Sequence, residues 1–175
     1  MNHIRTTLSL GAAVAAMSLL SACDQPKSGT GAAGGGAPAA APVAEALPPM
    51  PAWAQASLGQ PLKTAFPGEG ACDGNTDTVE MRGSAAAPGV SILGWAWDPA
   101  TKAPVTRIIL VDGDQKIVGA GESGLPRPDV RTARPDITSD SAGWRGVATV
   151  SSGGVDAYGL VGDGTATCKL GHIEL

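Results

Sequence analysis

The chain has 175 residues, with 16 acidic against 12 basic side chains and a formal net charge of −4. A mildly acidic chain without a long basic run argues against general nucleic-acid binding and against an electrostatic grip on anionic lipid. Two histidines, one tyrosine and one phenylalanine leave little of the usual catalytic or stacking equipment.

Residues 1–22 read as a targeting segment rather than as structure. Arg5 supplies a short positive start, and the stretch from Leu8 to Leu20 is free of charge. Its 13 residues fit the roughly 7–15 of a secretory signal and fall short of the roughly 18 needed to span a bilayer. Ser21 and Ala22 then lead into Cys23. The sequence Leu20-Ser21-Ala22-Cys23 resembles the lipobox of bacterial lipoproteins. That resemblance implies cleavage after Ala22 and lipid on the Cys23 sulfur, so the partner at this end is a membrane of the bacterial cell envelope. Two or more acyl chains anchor a protein stably, whereas one binds reversibly. Asp24, directly after the cysteine, resembles a signal for retention in the inner membrane, facing the periplasm. The outer membrane is the alternative.

With Cys23 assigned to lipid, Cys72 and Cys168 are left. A secretory signal places them in an oxidising compartment, where a disulfide is the default expectation. Closing a loop on the order of 100 residues contributes up to ~4–5 kcal/mol in the chain-entropy model. A metal site or a reactive thiol is the rival reading, but no His/Cys cluster stands beside either cysteine. No metal and no cofactor is expected.

Residues 23–52 read as a lipidated tether. From Asp24 to Ala52, 20 of 29 residues are Ala, Gly or Pro, too few large side chains to form a core. Residues 53–69 are a lead-in. Pro51 to Gly59 fits a short helix with Pro near its first turn and Gly just past its end, and Trp53 and Leu58 are its apolar contacts. Residues 70–175 carry seven short β-rich segments: Thr76–Arg82, Val90–Trp97, Val105–Val111, Lys116–Ala120, Trp144–Ser151, Ala157–Val161 and Thr165–Ile173. Asp112-Gly113 between two apolar runs signals a hairpin. The fold class is all-β, a single antiparallel β-sandwich of about seven strands. In the second segment Leu93, Trp95 and Trp97 share one face and Ile92, Gly94 and Ala96 the other.

Four motifs follow in order: Gly94-Trp95-Ala96-Trp97-Asp98-Pro99, Val111-Asp112-Gly113, Gly124-Leu125-Pro126-Arg127-Pro128-Asp129-Val130, and Gly143-Trp144. Together they resemble an immunoglobulin-like β-sandwich module of bacterial envelope and secreted proteins. The resemblance covers Cys72 to Leu175 and implies a β-sandwich with an accessory or binding role. The Gly-rich, irregular stretch from Ser151 to Thr165 departs from the regular closing hairpin of such modules.

The chemistry-bearing residues each have a sharp and a plain reading. His172 is the one histidine beyond the targeting segment; a terminal strand is a poor support for a catalytic base, so an exposed strand histidine is preferred. Asp73-Gly74-Asn75-Thr76-Asp77 begins like a calcium loop, but Thr78 and Ser84 occupy the positions where Gly and a bidentate Glu are needed. A turn before the first strand is preferred. Arg127, Arg131 and Arg134 stand among prolines with Asp129 and Asp136, either as an anion or sugar-acid site or as a rigid loop in which Arg127 and Asp129 bond each other and backbone. Trp95, Trp97 and Trp144 form either a sugar-stacking platform or core. Trp95 is read as core, with Trp97 at the rim and Trp53 exposed. The candidate ligand-binding residues are therefore Trp97, Arg127, Asp129, Arg131 and Trp144.

The preferred function is a noncatalytic, lipid-anchored module whose partner is an envelope protein or a glycan. The alternatives are a small hydrolase using carboxylates such as Asp98, Asp129 or Asp136, and a purely structural spacer or assembly subunit.

Overall fold

A computed structural model describes residues 46–175. The targeting segment, Cys23 and the tether up to Glu45 lie outside the described residues. Nine strands carry the rest of the chain: β1 (Gly68–Glu69), β2 (Asp73–Ser84), β3 (Ala87–Asp98), β4 (Ala103–Pro104), β5 (Arg107–Val111), β6 (Ile117–Leu125), β7 (Gly143–Ala148), β8 (Gly154–Val161) and β9 (Ala166–Glu174). A 3-10 helix (Ala52–Ser57) and α1 (Leu62–Ala65) precede them, and α2 (Pro128–Ala133) lies between β6 and β7. The all-β class read from the sequence is what the chain adopts, and each of the seven predicted segments overlaps a strand. The two extra strands, β1 and β4, have two residues each, too short for an alternation to register.

The arrangement differs from the expected pair of antiparallel sheets. The strands form one hydrogen-bonded sheet in the order β1-β9-β8-β5-β6-β7-β3-β2, with β4 paired to β3. The β1–β9 pair is parallel and the others are antiparallel. Side-chain alternation fixes which face of a strand is buried, not which strand lies beside it. Adjacent strands twist in one sense, so a sheet of this many strands curls. The β2–β3 pairing adds to the bend, because its register shifts between Thr76 and Thr78, Val79 and Met81, and Arg82 and Ser84. Curling brings β9 round to β2 at the opposite end of the strand order.

The inside of the curl is the main core. It is filled by Val90, Ile92 and Ala96 of β3, Ile108 and Leu110 of β5, Trp144 and Ala148 of β7, Val155 and Ala157 of β8, and Leu170 of β9. Two further clusters lie outside it. Ala54 and Leu62 of the lead-in pack with Ile109, Val111, Ile117, Ala120 and Leu160, flanked by Trp53 and Leu58. Trp97 packs with Val130, Ile137 and Ala142, contributed by the β6–β7 connection. β3 is thus covered on both faces, which explains why Ser91 to Trp97 has so few polar side chains.

The lead-in helix predicted over Pro51–Gly59 is the 3-10 helix, ended by Gly59 at φ +76°. Trp53 is held rather than free: its Nε1 donates to Glu122 Oε1 at 3.0 Å and Arg107 lies 5.2 Å over its ring. Cys72 and Cys168 form the predicted disulfide, with Cα atoms 5.8 Å apart and a sequence separation of 96. No helix among the described residues is long and apolar enough to cross a membrane.

Candidate functional site

The three loop arginines and their acids lie on the connection between β6 and β7. Prolines 126, 128 and 135 restrict its backbone, and Pro128 occupies the first turn of α2, where its missing N–H costs nothing. α2 is short, so tertiary packing must hold it. Val130 supplies that packing by sitting with Ile137 and Ala142 on Trp97. The turn then closes through Arg134 N to Val130 O at 2.8 Å and Ile137 N to Arg134 O at 2.9 Å.

Each arginine is engaged by carboxylates of this same chain. Arg127 meets Asp129 through two parallel bonds, Nε to Oδ1 at 2.9 Å and Nη2 to Oδ2 at 2.7 Å, and its Nη1 donates to Asp77 of β2. Arg134 bonds Asp136 at 3.0 Å and Asp73 of β2 at 3.1 Å, with its guanidinium 5.9 Å over Trp95. Arg131 reaches Asp140 at 3.1 Å. Such forked pairs are among the stronger ionic contacts, although those open to water contribute little to stability. The Arg127 guanidinium holds the Asp129 carboxyl below its ordinary range, and Arg134 does the same to Asp136. In return, Asp129 raises Arg127 against the opposing effect of burial, with Asp77 assisting.

The loop is therefore a brace. It ties the β6–β7 connection to β2 and leaves no guanidinium among these three without a carboxylate partner. The rigid-loop reading of Arg127 and Asp129 describes this geometry, whereas Arg131 meets its carboxylate at the open surface. Asp73 to Asp77 is the first part of strand β2 rather than a turn before it, and its two aspartates are the brace's anchors. Among the described residues, no group of three or more His, Cys, Asp or Glu side chains is arranged to hold a metal ion.

The tryptophans are placed differently from the sequence reading. Trp144 is fully buried inside the curl and Trp97 is 2% exposed beneath the loop. Neither offers a face to a sugar. Trp95, read as core, is the partly exposed one, and Arg134 covers its ring. Beside the brace, Leu93, Leu125, Pro126 and Arg127 line a hollow of about 300 Å³ that also reaches Asp77 and Thr78.

The carboxylates of the hydrolase alternative are engaged as well. Asp98 is buried and accepts from the backbone N–H groups of Ala100 at 2.8 Å and Thr101 at 3.4 Å, closing the turn after β3. Asp129 and Asp136 are kept ionised by arginines, the opposite of what a general acid needs.

His172 has both ring nitrogens on carboxylates, Nδ1 to Asp156 at 2.7 Å and Nε2 to Glu174 at 2.8 Å. Only the doubly protonated ring donates from both nitrogens, and Glu174 and then Asp156 raise its pKa above the ordinary 6.5. A general base needs a nitrogen turned to its substrate, and here both are occupied. Because the folded value is the higher one, the stabilising contribution is complete below the unfolded pKa and is lost as pH rises through the folded value. An NMR titration of the His172 ring is expected to give a midpoint above 6.5, and His172→Gln to lower Tm at pH ~6 but not at pH ~9. A midpoint at or below the ordinary value would refute the clamp.

Two features escaped the sequence reading. α2 carries a signal, Pro128 followed by an acid in the first turn, but its single buried residue shows no periodicity. The outer cluster of Glu80 with Arg145 and Ser91 joins residues 65 and 11 positions apart, and nothing local to any of them announces it. In comparisons with protein-family models, with curated proteins and with solved structures, the chain matches none.

Proposed function

We propose that the protein is a lipid-anchored component of the bacterial cell envelope whose β domain is a noncatalytic binding or accessory module for an envelope protein. The observation that carries this reading is the Cys72–Cys168 bond. It accounts for both cysteines of the β domain and leaves Cys23, at the end of an uncharged secretory stretch, as the single cysteine over. An oxidising compartment and a lipidated amino terminus are thus supported by the same count. The noncatalytic part is supported by the engagement of His172, Asp98, Asp129 and Asp136 in structural bonds. A protein partner is favoured over a glycan because the tryptophans expected to stack on sugar are buried.

Fractionation of cells expressing the wild type and Cys23→Ser tests the anchor. The wild type is expected in the membrane fraction and the variant in the soluble periplasmic extract; a variant still bound to membrane would remove the lipid reading. Crosslinking in cells with the lipidated wild type tests the partner. One recurring envelope protein is expected, and recovery of the chain alone would turn the reading toward a bare spacer.

A further inference from the structure

The strands that neighbour each other in the sheet order are joined by backbone ladders, but β2 and β9, which the curl brings together, are not. Their approach relies on the lack of two side chains. A Cβ on Gly74 would lie 2.3 Å from Leu170 Cδ2, and one on Gly171 would lie 2.8 Å from Thr76 N. Thr76 Oγ1 is buried at this line without a hydrogen-bond partner among the described residues, so no side-chain bond from it closes the seam either. What crosses the seam covalently is the bond from Cys72, just before β2, to Cys168 in β9.

We propose that this disulfide is a redox latch: a dithiol reductant of the envelope opens the seam between β2 and β9 while the rest of the sheet stays folded. Cys168 is 4% exposed and belongs to the main core, whereas Cys72 is partly exposed at its edge. Attack therefore goes to Cys72. A thiolate of the reductant bonds to Cys72 Sγ, the Cys72–Cys168 bond breaks, and Cys168 leaves with the electron pair. The second thiolate of the reductant then displaces Cys72 from the mixed disulfide. The reductant ends as a disulfide, the protein gains two electrons, and the two protons of the dithiol are taken up by the two protein thiolates. β9 stays held to β8 from Val161–Ala166 to Gly154–Glu174 and to the segment before Cys72, where Gly70 N donates to Thr167 O at 3.0 Å, and β2 stays held to β3 from Asp73–Trp97 to Ser84–Ala87. What is released is the contact between β2 and β9. Val79 and Ile173, which pack partly buried against the core, become more open to solvent.

Amide hydrogen exchange on the purified protein, oxidised and after treatment with dithiothreitol, tests the latch. Exchange is expected to rise about tenfold or more at the amides of β2, residues 73–84, which is left with β3 as its one backbone partner and opens locally, and to stay within about twofold in β5, β6 and β7. Reoxidation is expected to restore the first pattern. A parallel rise in every strand would overturn the proposal, because the bond would then be a staple of global stability. Unchanged exchange at β2 would overturn it too, because the strand would then be held as firmly without the bond as with it.

Discussion

Trp144→Ala is expected to lower the free energy of unfolding by about 3–5 kcal/mol, the range for removing a large aromatic from a packed interior. The urea midpoint should fall with little change in slope. Trp144 is fully buried at the centre of the main core, and its ring rests on the next strand where Gly94 has no side chain. A Cβ at Gly94 would lie 2.4 Å from Trp144 Cζ2. The indole thus fills the interior across β7 and β3 together. Its Nε1 finds no hydrogen-bond partner among the described residues, so the stabilisation comes from packing. Trp144→Phe, which keeps much of the ring, is accordingly expected to lose far less. A cost below about 1 kcal/mol for the alanine variant, the scale of an ordinary surface change, would mean that the ring is not in the interior.

Trp97→Ala is expected to cost a similar amount, again about 3–5 kcal/mol, and in addition to loosen one loop. Trp97 is the floor on which Val130, Ile137 and Ala142 sit, so its removal takes away the apolar support of α2. Trypsin reports this locally. Of the three loop arginines, Arg127 and Arg134 precede proline and resist cleavage, while Arg131 precedes Thr132. Cutting after Arg131 should be slow in the wild type and fast in Trp97→Ala. Trp95→Ala is the control, because its ring is partly exposed beneath Arg134, a contact of about 0.5–1 kcal/mol at exposed sites. Equal costs for Trp95 and Trp97 would contradict the placement described above.

These two tryptophans mark how far the sequence could be read. Alternation in β3 put Trp95 and Trp97 on one face and Ile92 and Ala96 on the other, and the structure keeps that division. Which of the pair is buried depends on Val130 and Ile137, more than 30 residues away in sequence, and no pattern within the strand contains that information. Runs of β-rich residues separated by Gly, Pro, Asp and Ser likewise located the long strands, because both signals are local. Strand order, the curl and the β2–β9 meeting depend on pairings between distant segments. The disulfide was legible for a different reason: counting cysteines in an oxidising compartment needs no geometry. The brace was half legible. Arg127 and Asp129 are two residues apart, so their bond could be named in advance. Asp73 and Asp77 were read as part of a turn before the first strand, since their arginine partners lie 61 and 50 residues further on.

The three register shifts in β2 have a consequence beyond the bend they produce. β2 is the last strand in the sheet order, and from Thr78 onward it carries Glu80 and Arg82 among its irregular pairings. A straight, uncharged outer strand is a template on which another copy can add its own, and so begin a fibre. β9 already lies against Gly74 and Thr76, so a copy could reach β2 only further along, where it would fall out of step at the shift between Arg82 and Ser84 and meet Glu80 and Arg82. For a protein held by lipid, as proposed here, neighbours share a surface rather than a volume and meet far more often. Irregularity and charge in this one strand then work against polymerising wherever molecules crowd together.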